Sequence, residues 1–344
     1  MSTAYFYLTK EGEQLARKLA ASHPGDLYDK ENFKTKLQEA FHSYDYLVCI
    51  MATGIVVRIL APLLVHKTSD PGVVVLDQRG NYAISLLSGH LGGANDLARE
   101  MAALSGGEAV ITTATDVAGE LSFDTFAKKH HMAIENIEQL KHISGALLDG
   151  KKIRIITDKS YPELHQAFAP NSSNKAEWIS VEAAKHPLSS LPTVVIDEGF
   201  TLPDAYPAPV LYLRPRTICA GIGCKRDMDA ASIEEALLTT LKKEGLHPLS
   251  LKCISTIPLK ASEPGILTTA ARQGVPVQVI STEDIEALDI DSLGIQTSSF
   301  VAKQTGVLSV STASAYLASG KGRILRDKVK FKGITVALCQ SEKD

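Results

Sequence analysis

Four different polar functions fall within nine residues of the segment SGHLGGAND, 88–96: a hydroxyl at Ser88, an imidazole at His90, an amide at Asn95 and a carboxylate at Asp96. Among them stand Gly89, Gly92 and Gly93, which let a backbone approach a ligand closely and leave amide N–H groups uncovered. The segment joins a strand-like run, YAISLL, to a stretch with Leu97, Ala98, Met101 and Leu104 at helical spacing, so a helix starts near 91–93. First-turn amides and the positive end of the helix dipole favour an anion at such a place. The chemistry this pattern could perform is anion recognition with proton transfer at His90. The competing account is a plain strand-to-helix turn, with Asp96 complementing the dipole and His90 satisfying a buried carbonyl.

Other segments carry weaker versions of the same signal. ATGIVVRIL (52–60) places Thr53 and Gly54 after a buried strand, with Arg58 in the first turns of a helix. TTATD (112–116) ends the next strand in three threonines and Asp116. GIGCKRD (221–227) lacks the third glycine of the dinucleotide fingerprint and the spacing of a phosphate loop. What remains there is a glycine turn bearing Lys225 and Arg226, suited to a carboxylate or a phosphate. STIPLKASEPG (255–265) offers Lys260 and Glu263, and QTGVLSVSTAS (304–314) offers Ser309 and Ser311 before a helix. There is no H-E-x-x-H, no His/Cys cluster and no G-x-S-x-G; His130-His131 reads as a helix end, so no protein-held catalytic metal is expected.

The elements that must position these groups alternate between short apolar runs and longer amphipathic ones, the pattern of α/β domains on mostly parallel strands. AYFYL (4–8), YLVCIMA (46–52) and AVITT (109–113) read as strands, while VVVLD and YAISLL flank Gln78-Arg79-Gly80-Asn81 as a hairpin. Helical faces are formed by Leu15 with Leu19, and by Phe33, Leu37, Ala40 and Phe41. From 157 to 216 the character shifts, with eight of the fifteen prolines and a polar APNSSNK centre. We read this as a loop-rich module with a few strands (KIRIIT, TVVIDE, PVLYL) ending in a linker, Arg214-Pro215-Arg216. A fresh α/β unit begins at TICAGIGCKRD, with Asp229 capping a helix of Ala230, Ile233, Leu237 and Leu241, and Ser281 and Asp284 forming a capping box. PVQVI and GITVALC are further strands, and a helix after Ser311 stops at Gly320. The expected architecture is therefore an N-terminal α/β domain over 1–132, a linker-like middle module over 133–215 and a C-terminal α/β domain, mostly parallel, over 216–344.

A chain of 344 residues, 44% hydrophobic and 22% charged, has ample material for such cores. Its net charge of −3 argues against non-specific nucleic-acid binding. Five cysteines without a C-x-x-C pair read as buried small hydrophobes in a reducing compartment. The N-terminus has no signal-peptide pattern, and no apolar run approaches the roughly 20 residues of a membrane helix, so a cytoplasmic location is expected.

Taken together, the order and spacing of ATGIVVRILAPLL, SDPGVVVLDQRGNYAISLLSGHLGGANDLA, ITTATD, GIGCKRD, STIPLKASEPG and KQTGVLSVSTASAYLASG resemble the cobalt-precorrin-5A hydrolase family of the anaerobic cobalamin pathway. The resemblance spans essentially the whole chain. It implies opening of the δ-lactone between the ring A acetate and C20 of cobalt-precorrin-5A. C20 then leaves with its methyl as acetaldehyde, giving cobalt-precorrin-5B. Cobalt would arrive with the substrate, so no cofactor of the enzyme's own is expected. A corrinoid is a broad disc fringed with carboxylates, which suits several anion sites at glycine-lined turns: Thr53, Gly54, Arg58, Ser88, Gly89, Gly92, Gly93, Asn95, Lys225, Arg226, Lys260 and Ser311. Chemistry assigns His90 as general base, Asp96 or Asp116 as its orienting or second-step partner, and amides around Gly92 and Gly93 as oxyanion donors. Axial ligation of the substrate cobalt by His90 is an alternative use of the same side chain. The rival readings are a non-catalytic corrinoid carrier and, on GIGCKRD alone, a transferase acting on a phosphorylated metabolite. Expected partners are the tetrapyrrole and the neighbouring pathway enzymes that hand it over, with a homodimer as the expected assembly and no membrane or nucleic acid.

Overall fold

The structure is a computed structural model that describes residues 1–66, 69–168, 175–186, 188–290, 292–296 and 309–342. Residues 304–308 of the QTGVLSVSTAS segment and 169–174 of the polar APNSSNK run lie outside these. The chain folds into two compact units, one of 1–128 with 147–150 and the other of 129–146 with 151–344.

The first unit is built on a six-stranded sheet of β1 (Thr3–Tyr7), β2 (Asp26–Tyr28), β3 (Tyr46–Ile50), β4 (Gly72–Leu76), β5 (Tyr82–Leu87) and β6 (Glu108–Val110), in the order β2-β1-β3-β4-β5-β6. Its helices are α1 (Lys10–Ser22), α2 (Phe33–Ala40), α3 (Thr53–Leu60), α4 (Ala94–Ser105), α5 (Ala114–Ala118) and α6 (Phe123–Lys129). Successive strand residues point to opposite faces, and the two faces are covered separately. Tyr5, Tyr7, Val48, Ile50, Val74 and Leu76 pack against Leu15 and Leu19 of α1 and Leu97 and Met101 of α4. Ala4, Phe6, Leu47, Cys49, Val73 and Val75 pack against Leu37 of α2 and Val56, Ile59 and Leu60 of α3. Helices on both faces keep this sheet flat on neither side to water, which is why β3 and β4 read as unbroken apolar runs.

One feature of the topology governs the site. β1, β3 and β4 run parallel, but the hairpin through Gly80 turns β5 antiparallel to β4, and β6 follows β5. The loops that leave β5 and β6 therefore emerge beside the beginnings of β3 and β4, at the end of the sheet opposite to the α3 turn. A Cβ placed on Gly72, the first residue of β4, would lie 2.7 Å from the Gly92 carbonyl oxygen, which fixes the SGHLGGAND turn at that end.

The second unit holds two five-stranded sheets. In the first, β7 (Met132–Ile134), β8 (Ile153–Ile156), β9 (Ala176–Ile179), β10 (Thr193–Ile196) and β11 (Val210–Pro215) take the order β7-β11-β10-β8-β9, with α7 (Leu140–Leu148) and α8 (Pro162–Ala167) in the connections. The three strands expected here are β8, β10 and β11; β7 and β9, three and four residues long, had no periodic signal of their own. The expected linker is corrected: Arg214 and Pro215 belong to β11, and Arg214 is fully buried, its guanidinium bonded to Glu135 and to the carbonyls of Asp197 and Phe200.

The last sheet comprises β12 (Ile218–Cys224), β13 (Leu251–Thr256), β14 (Val277–Val279), β15 (Arg323–Phe331) and β16 (Ile334–Gln340), ordered β14-β13-β12-β16-β15, with α9 (Ala230–Lys243), α10 (Pro264–Gln273), α11 (Thr282–Glu286) and α12 (Ser311–Ala318). β12, β13 and β14 are parallel, whereas β16 and β15 are antiparallel additions. Asp229 caps α9 by accepting from the Ser232 amide, and Ser281 caps α11 by accepting from that of Asp284. Among the described residues no helix is long and apolar enough to cross a membrane.

Candidate active site

The turn between β5 and α4 is shaped by two residues with left-handed backbones, Ser88 at φ +55° and Gly93 at φ +81°. Helix α4 begins at Ala94 with Gly93 as its cap residue, slightly later than the apolar spacing predicts. The amides expected to be open are in part engaged. The N–H groups of Gly93, Ala94 and Asn95 donate to the carbonyls of His90, Ser88 and Gly89, at 2.9, 3.2 and 2.9 Å. These three amides are thus engaged in holding the turn's own shape. The glycines are required by crowding instead: a Cβ on Gly92 would sit 2.2 Å from the Ser88 Cβ, and one on Gly89 would sit 2.6 Å from Asn95 Oδ1.

What the turn presents is His90. Its Nε2 lies 2.7 Å from Asp116 Oδ2, at the end of the TTATD segment, and 3.4 Å from Thr115 Oγ1. Its Nδ1 lies 3.2 Å from Ser122 Oγ and 3.3 Å from Asp124 Oδ1, both at the start of α6. Ser122 Oγ also donates to Asp124 Oδ1. Behind Asp116, Asn95 Nδ2 donates to its Oδ2 at 2.9 Å and Arg99 to its Oδ1 at 2.6 Å. Asn95 is itself held by Ser85 Oγ on β5, 2.7 Å from its Oδ1. The β5–α4 turn, helix α5 and the start of α6 therefore converge on one imidazole.

The electrostatics follow from this packing. The Asp124 hydrogen bond is the largest influence on His90 and lifts it above the ordinary 6.5; burial pulls the other way, and Asp116 adds to the rise. Burial pushes the Asp116 carboxyl up, but His90 and Arg99 outweigh it and hold it below the usual 3.8. Asp124 is likewise pushed up by burial and brought below its usual value by His90 and Ser122. Two ionised carboxylates therefore flank the imidazole, an arrangement for gaining and releasing a proton.

The remaining expected residues are placed differently. Asp96 points away, 75% exposed at its side chain and paired with Arg99, so Asp116 rather than Asp96 is the carboxylate on His90. Asn95 is a buried support, 3% exposed. Ser88 Oγ is buried without a hydrogen-bond partner among the described residues. Thr53, Gly54 and Arg58 are at the far end of the sheet, where Arg58 folds back onto the Gly54 carbonyl at 2.9 Å. With strands of five residues intervening, that end is roughly 15 Å away. In the other unit, Lys225 and Arg226 are exposed, while Lys260 is engaged at 2.9 Å by Glu263, whose other oxygen accepts from the Asp227 amide. Ser311 is buried at the start of α12, and among the described residues its hydroxyl has no partner. Among the described residues no group of three or more His, Cys, Asp or Glu is arranged to hold a metal ion.

Sequence reasoning missed Ser122, Asp124 and Arg99. Ser122-Phe123-Asp124 carries the look of an ordinary helix start, and nothing in its spacing points 32 residues back to His90.

Fold and site together define a mixed α/β protein carrying a half-buried histidine–carboxylate–hydroxyl cluster suited to proton transfer. Residues 35–116 match the model of the cobalamin synthesis G N-terminal region, 121–215 that of the cobalamin biosynthesis central region and 218–339 that of the cobalamin synthesis G C-terminus. Cobalt-precorrin-5A hydrolase of Salmonella typhimurium is 34% identical over 98% of this chain and 97% of its own. The protein of that name from Priestia megaterium is 31% identical, covering 96% and 92%. A crystal structure of a cobalamin biosynthesis protein G homolog from Sulfolobus solfataricus aligns with 99% of this chain and 97% of its own, at 22% identity and a TM-score of 0.40. The chain belongs to the cobalamin synthesis G family.

Proposed function

We propose that this protein is a cobalt-precorrin-5A hydrolase that opens the ring A acetate lactone and then releases C20 with its methyl as acetaldehyde, yielding cobalt-precorrin-5B. Family membership over nearly the full chain supports the substrate. The observation that carries the chemistry is His90, with Asp116 at 2.7 Å on Nε2 and a hydroxyl at 3.2 Å on Nδ1.

Both halves of the reaction need one proton moved each way. When the lactone carbonyl is attacked, neutral His90 with its proton on Nε2 accepts the nucleophile's proton at Nδ1, and Asp116 and Asp124 stabilise the imidazolium formed. The imidazolium then protonates the departing C20 oxygen. In the second half His90, neutral again, removes that proton and then releases it to solvent, which restores the base. The bond from C20 to the macrocycle breaks, its electron pair entering the macrocycle as acetaldehyde departs. Cobalt enters and leaves as part of the substrate. Both ring nitrogens already have partners, which favours proton transfer over axial ligation of cobalt by His90. An intracellular site of action follows from the biosynthetic role.

The test is incubation of the purified protein with cobalt-precorrin-5A while acetaldehyde is measured. Stoichiometric release is expected, falling at least about 100-fold in His90→Ala. Substrate binding without acetaldehyde would make the protein a carrier, and no binding would sink the tetrapyrrole reading.

A further inference from the structure

We propose that Ser122 is the nucleophile of the lactone-opening step, so that ring opening passes through an ester between the substrate's acetate and the enzyme. The proposal rests on the hydrolase reading above but names an atom that water-based hydrolysis would not need. Ser122 Oγ, His90 and Asp116 stand in the relation of nucleophile, base and orienting carboxylate: 3.2 Å from hydroxyl to Nδ1, then 2.7 Å from Nε2 to Oδ2. The ring nitrogens are exchanged relative to the familiar serine triad, but each keeps its task, because triads are defined by geometry and role.

The competing account of Ser122 is a helix cap. A capping serine accepts from the amide two or three residues on. Here the Thr125 amide instead donates to Asp124 Oδ1, at 3.0 Å, and the Ser122 hydroxyl is turned to Asp124 and His90. Asp124, buried to 4% exposure, accepts the Thr125 amide and also the Ser122 hydroxyl proton, so the hydroxyl must rotate from Asp124 to the adjacent His90 Nδ1 before it attacks. Ser122 itself is only partly buried, as an attacking group must be. Asp124 has a second use, since it lies 3.3 Å from the nitrogen that becomes N–H when the serine proton arrives.

The step balances. Ser122 Oγ bonds to the lactone carbonyl carbon as its proton moves to His90 Nδ1. The ring C–O bond breaks, and the departing oxygen takes that proton. Water then attacks the serine ester, giving its proton through His90 to Ser122 Oγ and freeing the acetate. One water is consumed, and the enzyme is regenerated without any oxidant or reductant.

The experiment treats the full chain with a fluorophosphonate and reads intact mass and the modified peptide, alongside acetaldehyde release. One phosphonyl group on Ser122 is expected, absent in Ser122→Ala and slowed in His90→Gln. Turnover of Ser122→Ala should fall by on the order of a thousandfold or more, with circular dichroism unchanged. No adduct on the folded wild-type protein overturns the proposal whatever the variant does, and should Ser122→Ala not fold, labelling of the wild type alone decides. Turnover of Ser122→Ala within a few-fold of wild type also overturns it, in favour of direct attack by water. A protein labelled at Ser122 that releases no acetaldehyde keeps the nucleophile and removes the substrate.

Discussion

His90 is flanked by a carboxylate on each ring nitrogen, and the two do different work. Asp116 is anchored from behind by Asn95 and Arg99 and fixes the ring, whereas Asp124 gives the largest upward push on the imidazole's proton affinity. A group whose folded value is raised stabilises the fold fully below its ordinary value and loses that contribution as pH climbs through the folded one. For His90 the stabilisation is complete below 6.5 and fades above it. Asp124, lowered from 3.8, stabilises above that value and loses the effect as acid protonates it. Asp124→Asn should therefore cost most stability between about pH 4 and 6.5 and less at higher pH. The same variant should move the His90 proton-NMR titration midpoint down toward 6.5; an unchanged midpoint would dismiss Asp124 as the dominant partner. At this scale His90 and Asp116 were legible because each follows a strand-like run in a cluster of polar residues. Asp124 and Ser122 were not, because a Ser-x-Asp helix start looks alike whether or not an imidazole packs on it.

The elements explain where reading along the chain misplaced the site. The hairpin at Gly80 was plain in the sequence, and so were the strands on either side. Its consequence is a matter of direction: one antiparallel reversal sends the loops after β5 and β6 to the end opposite the α3 turn. Thr53, Gly54 and Arg58 look equivalent to Ser88 and His90 only if all strands run one way. Glycine placement was legible but its cause was not, because what excludes a side chain at Gly89 and Gly92 is close packing within the turn. Gly92→Ala tests this. A Cβ there would meet the Ser88 Cβ at 2.2 Å and the Ser88 carbonyl oxygen at 2.6 Å, and backbone cannot step aside as a side-chain tip can. Destabilisation of about 1–3 kcal/mol is expected in urea unfolding, with acetaldehyde release reduced as His90 shifts. A variant as stable as wild type would mean the turn is loosely packed.

For the whole molecule, the least legible part is the middle of the chain, where prolines and polar residues mask a complete sheet. Strands β8 and β10 are apolar runs and could be read, but the sheet closes through short strands and through two arginines whose burial composition does not reveal. Arg154 is 1% exposed, with Nε and Nη2 at 3.0 and 2.8 Å from Glu177 Oε2, and with Ser189 and Tyr206 as further partners. A guanidinium placed there is tolerable only while its carboxylate remains, since an unpaired buried charge costs far more than the pair returns. β15 escaped for the converse reason: as an edge strand it carries Arg323, Arg326, Lys328 and Lys330, charges that keep an open edge from pairing with another chain. The chain's single tryptophan, Trp178, follows Glu177 on β9 and stacks on His165 with ring centroids 4.4 Å apart, so its fluorescence reports on this sheet. Glu177→Gln should lower the stability read from Trp178 by about 1–3 kcal/mol, because the guanidinium loses its charge partner while the volume is kept. Arg154→Met, which removes the charge as well, should cost less than a truncation that strands it. Equal stability of Glu177→Gln and wild type would show that Ser189 and Tyr206 suffice to hold the arginine, and that the sheet does not depend on the ion pair.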